Sequence, residues 1–199
     1  IGYTGNATVG ATIGHGLNSA PEWLVFKNRD ESAGNWYVYH KSAGHTKYLT
    51  LDRTHAAITN DFLNNTAPTN SVVTLNNTAE VNATGQDIIC YAWTSISQYS
   101  SFGSYTGNGS SDGPFVFTGF RPRWILIKDI GGAINWRLLD TARNTFNLAE
   151  NGLHPNTAGA ENTTNMAMDI LSNGFKIRAT ADINASGNNH IYAAFAEHP

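Results

Sequence analysis

Few residues in this chain have types and spacings that could do chemistry. The stretch "DINASGN" sets Asp182, Asn184, Ser186 and Gly187 at the first, third, fifth and sixth places of a calcium-binding loop, and "EVNATGQ" repeats the pattern with Glu80, Asn82, Thr84 and Gly85. Oxygen ligands around a Gly-enabled turn suit Ca²⁺, but such a loop closes with a carboxylate at its twelfth place. Ala193 and Tyr91 stand there instead, so both stretches are expected to be hairpin turns and no metal is assigned. The seven histidines lack H-E-x-x-H or any other close ligand spacing, and read as surface or turn residues.

Nucleophilic catalysis finds no better support. A G-x-S-x-G elbow is missing, and the single cysteine, Cys90, sits in the apolar run "DIICYAW" as a small buried hydrophobe. Glycoside cleavage needs two carboxylates across a cleft. Asp61 with Glu80, or Glu150 with Glu161, are pairs of the kind any chain with 15 acids offers. The expectation is a protein without catalysis or cofactor.

Composition narrows the class further. Charged residues make up 14% and the net charge is -3, so long-range electrostatics draw the chain neither to nucleic acid nor to an anionic membrane. No apolar run approaches the roughly 18 residues of a membrane helix. The Asn-x-Ser/Thr triplets at Asn64, Asn76, Asn82, Asn162 and Asn184 are what an Asn- and Thr-rich composition yields by chance, and are not read as glycosylation sites. The chain begins at Ile1 without an initiator Met and reads as a segment of something longer.

The elements that must position any site are strands. "WLVFK" and "WILIK" are continuous apolar runs expected of central strands covered on both faces. In "WYVYH" and "WRLLD" the alternation assigns Trp36 and Val38, and Trp136 and Leu138, to the core face. Val73 and Leu75, and Phe175 and Ile177, read the same way. Only "THAAITNDF" and "NTFNLAE" are compatible with a helical turn.

These paired quotations reflect an internal repeat. "YTGN" occurs at Tyr3–Asn6 and again at Tyr105–Asn108; Pro21, Trp23, Lys27 and Asn35-Trp36 match Pro122, Trp124, Lys128 and Asn135-Trp136; and Asn82 and Gly85 match Asn184 and Gly187. The offset stays at 100 to 102, which reads as a duplication with copies at residues 1–101 and 102–199. The expected fold class is all-β: two tandem antiparallel β-sandwich repeats of jelly-roll or concanavalin-like type. One larger sandwich sharing strands from both copies is the rival.

The segments "SYTGNGSSDGPFVFTGFRPRWILIK", "LSNGFKIR" and "INASGNNHIYAAFAEHP" resemble a family of repeat domains of uncharacterised function found in bacteriophage tail fibres and other virion structural proteins. The resemblance implies a concanavalin- or SPRY-like sandwich on a virion surface, neighbouring virion proteins as partners, and a homo-oligomer, a trimer in the manner of fibres. It supplies no ligand.

Aromatic, Asn, Asp and Arg groups in a charge-poor chain suit a neutral polyol, so a host-surface glycan or receptor is the expected ligand. Where the two copies diverge, the loops carry Asn28, Arg29 and Asp30, then Arg53, His55 and Asp61, and in the second copy Arg143, Asn147 and His154. These nine are the candidate ligand-binding residues. A purely structural role, as capsid decoration or fibre spacer, is the alternative, and a glycan depolymerase the third.

Overall fold

The computed structural model describes residues 1–197. The chain folds as two compact units, Ile1–Thr94 and the residues from Ser95 onward. The division precedes the repeat boundary read at 101/102 because Ser100 already opens a strand that pairs with the last one through Ser100 and Phe195.

The first unit contains β1 (Gly2–Thr4), β2 (Ala11–Gly14), β3 (Trp23–Asn28), β4 (Tyr37–His40), β5 (Lys47–Thr50), β6 (Ile58–Thr59), β7 (Val72–Leu75), the short helix α1 (Ala79–Asn82) and β8 (Asp87–Trp93). Its larger sheet runs β1-β8-β3-β4-β5-β6 and its smaller one β2-β7, every pairing antiparallel. The second unit contains β9 (Ser100–Thr106), β10 (Phe115–Phe117), β11 (Pro122–Asp129), β12 (Arg137–Asp140), β13 (Gly152–Leu153), β14 (Met168–Leu171), β15 (Gly174–Ile177), a 3₁₀ turn (Asp182–Asn184) and β16 (Asn189–Ala196). Its larger sheet runs β9-β16-β11-β12-β13 and its smaller one β10-β15-β14, again antiparallel. The fold is all-β, as expected.

Each unit has its own core, formed between its two sheets. In the first, Leu24, Phe26, Tyr37, Tyr39 and Cys90 of the larger sheet meet Ile13, Val73 and Leu75 of the smaller. In the second, Ile125, Ile127, Leu139 and Ala194 meet Val116, Met168, Ile170, Phe175 and Ile177. This arrangement is consistent with a sandwich, in which apolar faces of two sheets exclude water from one layer.

Two expectations are corrected. The cores take Tyr37 and Tyr39 in one unit and Leu139 in the other, so Val38 and Leu138 lie on the opposite face of their strands, with Trp136 just ahead of β12, the reverse of the assigned parity. Val38 and Trp136 are nonetheless buried, at 0% and 2% exposure, and with both faces apolar the alternation alone carries no sign. Neither "THAAITNDF" nor "NTFNLAE" forms a helix; the first holds β6, and the short helical turns fall at Ala79–Asn82 and Asp182–Asn184.

Candidate functional site

The repeated YTGN is a structural clasp. Gly107 lies so close to the turn after the 3₁₀ segment that a Cβ would sit 2.4 Å from the Ala185 carbonyl, and at Gly5 it would sit 2.1 Å from that of Ala83. Tyr105 donates its hydroxyl to Ile183 O at 2.7 Å, and Tyr3 to Val81 O at 2.5 Å. The buried amide of Asn184 accepts from Asn108 N and donates to Asn108 Oδ1, Ser110 O and Ala179 O, all at 2.7–3.0 Å. Asn82 likewise accepts from Asn6 N and donates to Thr8 O, both at 3.0 Å. The calcium-like spacing is therefore a turn but not the expected hairpin: it leads from α1 into β8 and from the 3₁₀ turn into β16, neither of which pairs with the strand before it. Gly85 and Gly187 take φ 72° and 78°, and the Asn side chains are committed to the opposing loop.

In the first unit the candidate residues are held by different partners. Asn28 is a correction: it belongs to β3, not to a loop, and is fully buried, its amide donating to Ala79 O and Gln86 Oε1 and accepting from Asp30 N. Asp30 accepts from Asp87 N at 2.7 Å, and Arg29 lines a shallow groove of about 250 Å³ with Tyr3, Thr4 and Asp87. Arg53 donates to Asn35 Oδ1 at 3.0 Å, Asp61 accepts from Asn76 Nδ2 at 2.7 Å, and His55 is exposed.

In the second unit, Arg143 and Asn147 do share a loop. Arg143 pairs with Asp140 and, at 3.2 Å, with Glu161. Asn147 donates to Ile170 O at 3.1 Å and accepts from Ile170 N at 2.9 Å, and Asn144 Oδ1 takes the amides of Glu150 and Asn151. Between these anchors Phe146 stands 84% exposed, with Leu148 at 42%. The polar side chains tie the loop down while its large apolar side chains face water. Sequence reading passed over Phe146, which as a lone aromatic is indistinguishable from a core residue.

His154 belongs to a cluster that sequence reading also missed. Its Nδ1–H donates to Trp136 O at 3.1 Å while Nε2 accepts from Arg137 Nη1 at 2.7 Å. Arg137, only 7% exposed, reaches Asp182 Oδ2 at 2.6 Å. His190 donates Nε2–H to Asp182 O at 2.7 Å and stacks on Tyr105 at 5.0 Å. Lys128 donates to Asp129 O and Gly132 O at 2.7 and 2.9 Å, bracing the β11–β12 hairpin as Lys27 braces β3–β4 through Gly34 O. At the ladder position of Arg137 the first unit has Tyr37, stacked on Tyr48 at 4.1 Å. These ionisable groups brace turns and hairpins through internal bonds.

A family model described as a domain of unknown function, DUF7483, matches residues 1–199. The chain belongs to the DUF7483 family. The family match runs through both compact units, so the clasp, the buried cluster and the Phe146 loop all lie within it. No curated protein matches the chain, and no solved structure does.

The buried groups of this DUF7483 chain set a pH dependence of stability. Burial, opposed by Asp129, lowers Lys128 from 10.5 to about 8. Between those values the unfolded chain holds a proton the folded chain has released, so stability rises with pH across that window. Burial raises the phenols of Tyr3, Tyr37 and Tyr105, so above about pH 10 the unfolded chain loses protons first and stability falls. Burial also raises the Cys90 thiol from 9.0 to about 12, which offsets the Lys128 rise above about pH 9. Urea unfolding from pH 7 to pH 11 is expected to show a rise from about pH 8, a maximum between about pH 9 and pH 10 and then a decline, and Lys128→Met is expected to flatten the rising limb.

Proposed function

We propose that the chain is a non-catalytic binding module of a virion, of the tail-fibre or appendage kind, that recognises a cell-surface glycan. Phe146 carries the reading: a phenyl ring 84% exposed on a loop anchored by Arg143, Asn144 and Asn147. Exposing a large ring on an ordered loop is unfavourable in isolation, and a sugar's C–H face is the surface such a ring accepts. Arg143 in this loop and Glu161 in the segment after β13, ion-paired at 3.2 Å, offer a donor and an acceptor to hydroxyls. The non-catalytic part is supported by the commitment of Asp129, Asp140 and Asp182 to internal partners. The virion setting is supported by the sequence resemblance, and internal duplication by the matching strand order of the larger sheets, β1-β8-β3-β4-β5 and β9-β16-β11-β12-β13.

A glycan array probed with the purified chain tests this. Selective binding that falls about tenfold in Phe146→Ala, with unchanged melting, is the expected result. Binding that survives this substitution but is lost when Arg29 and Arg53 are changed to Ala would move the site to the first unit.

A structural virion role is favoured by one further observation. Ile96 and Tyr99 are 52% and 42% exposed, apolar surface that a neighbouring virion protein would cover. Sedimentation of the chain as an oligomer, with Ile96→Ser returning it to monomer, would support that second reading.

A further inference from the structure

Strand β10 reads Phe-Val-Phe, so the strand period points Val116 to one side and both phenyl rings to the other. Val116 enters the core, while Phe115 and Phe117 are 45% and 65% exposed on the outer face of the three-stranded sheet. The register sets Phe115 beside Lys176 and Lys176 beside Asp169; the next row is Phe117, Gly174 and Leu171. A Cβ on Gly174 would come 3.1 Å from the Phe115 ring, so that ring lies low over bare backbone.

The polar groups of this face balance one another. Lys176 pairs with Asp112 at 2.9 Å, and Arg178 with Asp169 at 2.7 Å and Asp112 at 3.6 Å. Two cations face two carboxylates, and the Asp112 side chain is 83% exposed. On the opposite edge, Ala149 and Met168 exchange backbone hydrogen bonds, and Asn147 bonds both backbone groups of Ile170. The segment carrying Phe146 and Leu148 thus runs along β14 as an irregular fourth strand. Three spacings of about 4.8 Å put it roughly 14 Å from β10.

We infer that the glycan lies across this outer face, from Phe115 and Phe117 to Phe146, and that it is an uncharged oligosaccharide longer than one sugar ring. The inference rests on the glycan-binding reading above and gives it a path and a ligand class. Aromatic rings at both edges take C–H faces of separate sugar units, and the Asp112–Lys176 pair beside Phe115 presents an acceptor and a donor to hydroxyls. A charged sugar would meet a like charge for every opposite one and would have to break an ion pair, whereas a neutral polyol matches a face of zero net charge.

Titration calorimetry of the whole chain with neutral gluco-, galacto- and manno-oligosaccharides, from mono- to hexasaccharide, with sialylated lactose as the charged comparator, tests this. Affinity is expected to climb with length to at least the trisaccharide. Phe117→Ala and Phe146→Ala are each expected to weaken binding about tenfold, and together about a hundredfold, with melting unchanged. Binding lost in Phe146→Ala but unaltered in Phe117→Ala, binding independent of length, or preference for the sialylated sugar would overturn the inference and leave glycan recognition standing. No binding of any sugar by the folded chain would overturn both.

Discussion

Replacing Asn184 by Ala is expected to destabilise the second unit by about 3–5 kcal/mol. The amide is fully buried, its oxygen accepting from Asn108 N and its two N–H groups shared among three acceptors, and its removal strands the Asn108 amide and the carbonyls of Ser110 and Ala179. Each stranded group carries about 1–3 kcal/mol of desolvation penalty, partly relieved by water entering beside the exposed end of the loop. In a unit of about 100 residues this lowers the melting transition by more than about 10 °C. Asn82→Ala, with two such bonds in the first unit, is expected to cost about half as much. Calorimetry of both variants reads the difference; equal small effects would show that the YTGN clasp does not hold the sandwich edges together.

Arg137→Ala is expected to cost about 2–4 kcal/mol. The guanidinium is buried, lowered by that burial and held up by Asp182, with Nε lacking a hydrogen-bond partner. Truncation leaves the Asp182 carboxylate and His154 Nε2 unpaired in a partly dry site. Because the penalty comes from the orphaned partner rather than from the pair itself, Arg137→Met combined with Asp182→Asn is expected to recover more than half of the loss. Denaturant unfolding of the two variants separates the cases, and a neutral Arg137→Ala would show that the cluster contributes nothing.

The strands were legible because burial writes itself into composition: "WLVFK" and "WILIK" became β3 and β11 with both faces covered, and Val73, Leu75, Phe175 and Ile177 entered the cores. Face parity was not legible, since Val38 and Tyr39 are both apolar and both buried. The repeated YTGN and Asn-Ala-x-Gly stretches were visible, but their joining was not, because a hydrogen bond between Asn108 and Asn184 spans 76 residues and leaves no local pattern. Asn28 looked like a loop residue because polar side chains in strands are uncommon; its burial depends on Ala79 and Gln86 arriving from elsewhere in the chain. The outer face of β10, β15 and β14 was hidden for a related reason. Phe115, Lys176 and Asp169 are brought side by side only by register.

The central claim is that this surface recognises carbohydrate. The most direct measurement is binding of the labelled chain to bacterial envelope fractions before and after treatment with periodate, which cleaves vicinal diols, or with protease. Binding that protease leaves intact, periodate abolishes and Phe146→Ala weakens is the predicted result. Binding that survives periodate and is lost with protease would contradict glycan recognition and point to a protein partner.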